Sequence, residues 1–427
     1  MKSGISDFSE ELVPALKNQN IDVVIFSPEK VSSKNILNDF EVHTLSKLND
    51  KKIRESLDLI VYQIGNNYTY HGQIVEMLMK YPGVVELHEI GLHHLVAESV
   101  LDRKGIDAYL DYVEYCHGKK GTEIAKKFFK YGGQAPWEQY PLELNMARKI
   151  IESASGLIVH SEMSKQMALG ICDTKPIVKI PHHSAEFLED RKNETAAARK
   201  KSGISDDILV LGSFGFATPT KRIIQIIDAC SKYKKEVTDK FLYYIVGEVS
   251  PSMNLERKIA ECGLSENVRI TGFVTLDEFK NYIKLCDICI NLRYPTQGES
   301  SGSIHRMLGM GKPIITTDIG TFSEFPDSVA LKVRYDDNET DDIFKAICTM
   351  SKNKKTLEKY SQNAFDYAKE NFEINRNAEK YLGFFKSMID GTWQPDYQDV
   401  VIGRLCELKL TDENYLKHLP YFELQMF

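Results

Sequence analysis

"ILVLGSFGFATPTKRIIQIIDA", residues 208–229, runs apolar without alternation, breaks at small and proline residues, and continues with helical periodicity. A strand that is apolar on both sides is one buried on both faces. Residues 208–216 therefore read as a strand of a parallel sheet covered by helices. Thr218 or Thr220 can cap the helix, and Pro219 suits its first turn. Lys221 and Arg222 fall in that opening turn, where cations oppose the helix macrodipole. A bound anion offsets that cost. The plainer alternative is a pair of solvated charges.

The same unit recurs in both directions. Downstream, strands are expected at 241–248, 268–273, 288–293, 313–320 and 329–333, with helices in the gaps and a helical region from about 339 to 388. Upstream, strands are expected at 21–27, 57–65, 83–89, 156–162 and 176–182. Helices are expected at about 71–80, 92–101, 105–116, 121–130 and 137–154. "EDRKNETAAARKKSGISDD" (189–207) lacks an apolar run and reads as a linker with a short helix. This is an α/β chain with two Rossmann-like domains facing a cleft, in which the residues just after each strand carry the function.

Bulk properties narrow the classes. The 427 residues suit two or three domains. A net charge of −7 supplies no general cationic field for nucleic acid. The start has no apolar signal core, and no stretch approaches a membrane span. A cytoplasmic location is the default. Cys286 and Cys289 form a lone CxxC without a second ligand pair, so buried thiols are expected rather than a metal site.

Four strand ends attract attention. After 288–293 comes "YPTQGESSGSIHRMLGMG", in which Ser300, Ser301, Gly302 and Ser303 lie at a helix start and Arg306 follows. Open N–H groups, small side chains and the positive dipole end make an anion site. A plain serine cap needs only one hydroxyl. Taken with Lys221 and Arg222, a diphosphate between two loops becomes the better account. After 83–89, His88 ends a strand and can exchange a proton or bind a hydroxyl. The spacing from His88 to His93 and His94 misses the zincin pattern. After 57–65, Asn66 and Asn67 suit either polyol binding or a turn. Lys119, Lys120, Lys126, Lys127 and Lys130 lie near Phe128 and Phe129. Anionic lipid is one partner for such a stretch. A solvated helix face is the simpler one.

"NLRYPTQGESSGSIHRMLGMGKPIITTDIGTFSEFPD" (291–327) resembles the donor-binding region of the retaining GT-B glycosyltransferases of family 4, in particular a bacterial surface-polysaccharide subgroup. "SFGFATPTKR" (213–222), "GNNYTYH" (65–71), "YPGVVELHEIGLHHL" (81–95) and "SGISDFSEELVPAL" (3–16) are similar to further landmarks in the same order. The resemblance implies an N-terminal acceptor-side domain (1–188), a C-terminal nucleotide-sugar domain (189–370), and a terminal helix with tail (371–427) packing back on the first.

It also implies roles. Lys221, Arg222, Arg293, Ser300, Ser301, Gly302, Ser303 and Arg306 would serve the donor diphosphate, and Val274 would lie beside the base. Glu299 would meet the donor sugar, and His88 the transferring carbon. Gly4, Asn66 and Asn67 would lie on the acceptor side. The donor would be a nucleotide-diphosphate sugar and the acceptor a glycan or lipid-linked glycan, with no bound metal, and with peripheral contact at the inner membrane face.

Three departures stand out. The second glutamate of the family pair is replaced by Arg306 or Met307, depending on register. Phe216 stands where an arginine is usual. Only Met1 and Lys2 precede the SGISD segment, where relatives have an apolar strand. A truncated start or a replacement strand, with "DVVIGRL" (398–404) as candidate, would account for this last departure. An impaired subunit that scaffolds a partner transferase is the alternative.

Overall fold

The computed structural model describes residues 4–395, 399 and 401. The chain divides into two compact units. One comprises the chain up to His182, the hexapeptide Pro295–Ser300 and everything from Ile374. The other comprises His183–Tyr294 and Ser301–Glu373.

The first unit contains β1 (Val24–Ser27), β2 (Glu41–Thr44), β3 (Val61–Ile64), β4 (Val84–Leu87), β5 (Gly156–Val159) and β6 (Ile177–Lys179). β3-β4-β5-β6 form a parallel sheet in chain order, and β1 and β2 form a separate parallel pair. Among the described residues no strand joins the two. Of 398–404 only Asp399 and Val401 are described, so the replacement-strand expectation lies almost wholly outside the described residues. β2 is polar, which is why its sequence (EVHT) gives no apolar strand signal.

Two helices cover one face of the four-stranded sheet. Gly4–Asn18 and Ile374–Ile389 bury Phe8, Leu12, Tyr381 and Phe384 against Val84 and Ile158. The terminal helix thus returns to the first unit, as the resemblance implies. Gly4–Asp7 of the SGISD segment supply the opening turn of the first helix.

Three expected helices differ in the structure. The 105–116 and 121–130 segments form one run, Ile106–Tyr131, broken at Gly118 (φ 63°, ψ −162°). Residues 137–154 are not one helix but two short ones, Pro136–Gln139 and Arg148–Ser153. Pro141 cannot continue a helix. Asn145 Oδ1 takes the N–H of Ala147 at 3.0 Å, and Met146 turns left-handed at φ 60°.

The second unit contains β7 (Leu209–Phe214), β8 (Phe241–Val246), β9 (Val268–Gly272), β10 (Ile288–Asn291), β11 (Ile314–Thr317) and β12 (Ala330–Val333). They form one parallel six-stranded sheet, ordered β12-β11-β10-β7-β8-β9. β10 is buried along its whole length, as its unalternating sequence requires. Apolar clusters fill both faces of the sheet. The 189–207 segment is more than a linker. Its helix, Arg191–Ser202, ends on Gly203 in the left-handed region and buries Arg199 against Asp287 at 2.5 Å.

Candidate active site

Strand order locates the site of the second unit. From β7 the chain proceeds outward to β8 and β9, and from β10 it proceeds the other way to β11 and β12. β7 and β10 are direct neighbours, with Ile288 opposite Leu211 and Cys289 opposite Gly212. That reversal is a topological switch point, where open parallel sheets bind ligands at their carboxyl ends. The two loops singled out in the sequence leave the sheet at this point. They meet there: Tyr294 N donates to Thr220 O at 2.8 Å.

The β7 loop is held in a specific shape. Lys221 folds back and donates its ammonium to Phe214 O at the strand end. Gly215 makes room, because its φ is +85° and a Cβ there would stand 2.8 Å from Lys221 Nζ. Arg222 sits in the left-handed region (φ 57°, ψ 28°), uncommon for a side chain of that size. Its Nε lies 3.0 and 2.9 Å from the two oxygens of Glu339, a residue only 2 % exposed. A bidentate carboxylate pair therefore takes up the Arg222 head. The guanidinium also lies 5.8 Å from the Tyr294 ring centroid, and Tyr294 stacks on Tyr335 at 4.5 Å.

The β10 loop opens helix Gly302–Gly309. Ser301 is its N-cap, yet its hydroxyl pairs with Ser303 Oγ at 2.9 Å instead of capping a backbone N–H. First-turn N–H groups and two hydroxyls thus lie together at the positive end of the dipole. Arg306 is the fifth residue of the helix, past its first turn. His305 is buried beneath, with Nδ1 donating to Ser301 O at 2.8 Å and its ring 4.4 Å from that of Phe372. Nothing in the residue pattern announces this support. Arg293 follows β10 after Leu292, and its backbone N–H donates to Thr317 Oγ1 at 3.0 Å. Val274 packs on the apolar cluster beside the capping box of Thr275 and Glu278.

The first unit holds the other candidates. Its β4 loop carries His88, whose Nε2 meets Gln63 Oε1 at 2.6 Å and whose ring is edge-on to Phe8 at 4.9 Å. Pro295–Ser300 is tied to the same loop. Gly91 N donates to Gln297 O at 2.8 Å, and Ser300 N to His88 O at 3.4 Å. Gly298 has φ +72°, and a Cβ there would come within 2.6 Å of Ile90 Cγ2. Glu299 Oε2 accepts from Thr296 Oγ1 and Gln297 N, both at 2.8 Å. Glu299 and His88 are therefore held by one hydrogen-bonded loop pair.

Asn66 and Asn67 have defined partners. Asn66 Nδ2 donates to Gln297 Oε1 at 2.7 Å, and its Oδ1 accepts from Leu95 N at 3.0 Å. Asn67 caps helix Tyr68–Lys80, accepting from Tyr70 N at 3.3 Å. Gly4 begins the first helix, with open space around its Cα. Of the neighbouring histidines, His93 is buried against Tyr109 at 2.6 Å, and burial lowers its pKa to about 3. Lys119, Lys120, Lys126, Lys127 and Lys130 are all exposed on the kinked helix. Cys286 and Cys289 are buried, and burial raises the Cys289 thiol well above its ordinary range. Among the described residues, no group of three or more His, Cys, Asp or Glu side chains could hold a metal ion. No described helix is long and apolar enough to cross a membrane.

Comparison with known proteins points to the same fold class. Residues 194–367 match the family model of glycosyl transferases group 1. A stretch of 170 residues is 24 % identical to an uncharacterized glycosyltransferase, MJ1069, of Methanocaldococcus jannaschii. It spans 40 % of this chain and 43 % of that protein. Sucrose-phosphate synthase of Thermosynechococcus elongatus shares the fold over 91 % of this chain and 94 % of its own, at 14 % identity and TM-score 0.63. WaaG, a glycosyltransferase involved in lipopolysaccharide biosynthesis, does so over 92 % and 97 %, at 15 % identity and TM-score 0.59. Anabaena Alr3699/HepE, solved with UDP and glucose, does so over 90 % and 96 %, at 14 % identity and TM-score 0.55. The fold is α/β with two Rossmann-like units of the GT-B type.

Proposed function

We propose that the chain transfers a hexosyl or deoxyhexosyl unit from a nucleotide-diphosphate sugar to a glycan or lipid-linked glycan, with retention of configuration. The observation that carries this reading is the Tyr294 N to Thr220 O bond of 2.8 Å, which joins the two loops at the switch point. It gathers the lysine of one loop and the serine-rich helix start of the other within one unit. A diphosphate needs those two kinds of donor. The HepE neighbour, solved with UDP-glucose, supports a nucleotide sugar as the ligand class.

Within this reading, Lys221, Ser300–Ser303, Arg293 and Arg306 stabilise the departing diphosphate, and no bound metal is called on. Val274 lies beside the base. Arg222 acts by holding its loop to Glu339. Glu299 meets the donor sugar, while His88, Gly4, Asn66 and Asn67 serve the acceptor side. The bond from the anomeric carbon to the diphosphate oxygen breaks, and a bond from that carbon to the acceptor hydroxyl forms on the same face. The hydroxyl proton passes to the leaving diphosphate. We place the reaction in the cytoplasm, at the inner membrane face when the acceptor is lipid-linked, within polysaccharide biosynthesis. The alternative of an impaired scaffold for a partner transferase finds no support in the comparisons.

The test is nucleoside-diphosphate release with a panel of nucleotide sugars and glycan acceptors. Lys221→Ala is expected to lower kcat by about 10²–10³-fold, the usual loss for one donor to a developing oxyanion. An unchanged rate in both Lys221→Ala and Glu299→Gln would discard the site.

A further inference from the structure

A buried polar chain in the first unit ends on His88. Gln63 and Glu86 are opposite each other across β3 and β4, so their side chains share a face of the sheet. His88 follows two residues after Glu86 and lies on that same face. Helix Ile374–Ile389 brings Tyr381 onto it. The Tyr381 hydroxyl donates to Glu86 Oε1, and Gln63 Nε2 donates to Glu86 Oε2 at 2.5 Å. Gln63 Oε1 then meets His88 Nε2 at 2.6 Å. Glu86 is fully buried and Tyr381 is 1 % exposed.

Donor and acceptor rules fix the direction of this chain. Both Glu86 oxygens accept, one from Tyr381 and one from Gln63, so Gln63 presents its amide nitrogen to Glu86. Its amide oxygen is thereby turned toward His88. That oxygen cannot donate, so the proton between the two groups belongs to His88 Nε2. In the neutral ring the other nitrogen, Nδ1, is then the basic one. Tyr381 keeps its proton, because burial and the adjacent Glu86 raise its pKa well above the ordinary range. His160 closes the other side: its Nδ1 donates to Ile180 O at 2.8 Å, which turns Nε2 toward Glu86 Oε1, 3.6 Å away. Phe8 packs against the His88, His160 and His182 rings, at 4.9, 5.3 and 4.8 Å.

We infer that Glu86 and Gln63 are positioning residues that hold His88 as its Nε2–H tautomer, leaving Nδ1 as the ring's proton acceptor. The consequence for transfer rests on the proposed function above; the tautomer itself does not. Glu86 is three links from any substrate and acts only through the orientation of one amide. In Glu86→Gln the neighbour can donate as well as accept, so the Gln63 amide is free to reverse and the His88 tautomer is no longer dictated.

The tautomer is read on the full chain with ¹⁵N-labelled histidine, from ring nitrogen shifts above the pH at which His88 charges. His88→Asn identifies the signal. The expected wild-type pattern is a protonated-type Nε2 and an unprotonated-type Nδ1. Glu86→Gln is expected to give averaged or doubled His88 shifts, with the His305 signals unmoved, while Tyr381→Phe, which leaves the Gln63 bond intact, keeps the wild-type pattern. A wild-type His88 protonated at Nδ1 overturns the inference, and so does an unchanged tautomer in Glu86→Gln. The wild-type spectrum decides by itself if the variant does not fold. Under the proposed function, in which His88 Nδ1 accepts a hydrogen bond from the acceptor hydroxyl and so orients it, Glu86→Gln also lowers kcat at least about tenfold with donor KM unchanged. The expected spectra with an unchanged kcat would remove His88 from the transfer reaction and leave the tautomer assignment standing.

Discussion

The two units solve the same α/β problem with different chemistry. The second has an unbroken six-stranded sheet, and its polar interior includes two arginine–carboxylate pairs, Arg222 with Glu339 and Arg199 with Asp287, beside the buried histidines His183 and His305. The first has a four-stranded sheet beside a separate pair, and its polar interior is built on histidines: His71, His88, His93, His160 and His182 are all buried there. A guanidinium stays charged at any working pH, which suits the binding of a diphosphate. Groups that titrate near neutrality suit proton handling, but they tie the stability of their unit to pH.

The largest expected effect follows from that contrast. Burial lowers His71 and His117 to about 4 and His93 to about 3. In the unfolded chain each titrates at the ordinary histidine value near 6.5. Between those limits the unfolded state binds more protons, so stability is full above pH ~6.5 and falls as the pH drops. Each group accounts for roughly 3–5 kcal/mol by the time its folded value is passed. Both tryptophans, Trp137 and Trp393, lie in the first unit, so the wavelength of their emission follows that unit alone. Acidification is expected to shift the emission to the red at a higher pH than that at which amide protection is lost in Leu209–Phe214. Coincident transitions would break the comparison.

A smaller effect is expected from the charged pairs. Glu339→Ala leaves the half-buried Arg222 guanidinium without its carboxylate, which costs about 2–3 kcal/mol. The loss should appear as a lower urea midpoint by circular dichroism and faster amide exchange in residues 215–224. The acid-induced tryptophan shift should stay where it was. A change smaller than about 1 kcal/mol would mean that the pair is solvated in solution, as exposed pairs are.

Much of this contrast could be read from the sequence, but unevenly. The unalternating runs of β7, β8 and β10 fixed strand, sheet type and the location of the loops, because double burial leaves a local signature. β2 escaped because EVHT is polar, and the 137–154 helix was overextended because Pro141 and Asn145 act through backbone geometry rather than periodicity. Lys221 and the serine run stood out as charges and small residues at a helix start. Their supports did not. Glu339 reaches Arg222 across 117 positions, and Tyr381 reaches Glu86 across 295. Such contacts follow from sheet order, which a single sequence does not spell out. The same holds for Pro295–Ser300, which joins the first unit through backbone bonds such as Gly91 N to Gln297 O that no side chain announces.

Asn66 and Asn67 give the finest test, because adjacent residues of one type have different work in the structure. Asn67 only caps a helix, so Asn67→Ala should cost about 1 kcal/mol of stability and leave acceptor KM alone. Asn66 ties Leu95 N and Gln297 Oε1 together, and Asn66→Ala removes both bonds from the loop pair that presents His88 and Glu299. Its stability cost should be somewhat larger, roughly 1–3 kcal/mol for the polar groups left behind, and kcat should fall with it. Urea unfolding and steady-state rates on the two variants separate the cases. A raised acceptor KM with undiminished stability in Asn67→Ala would show that its side chain serves the substrate instead of the helix, and would move the acceptor site to the start of Tyr68–Lys80.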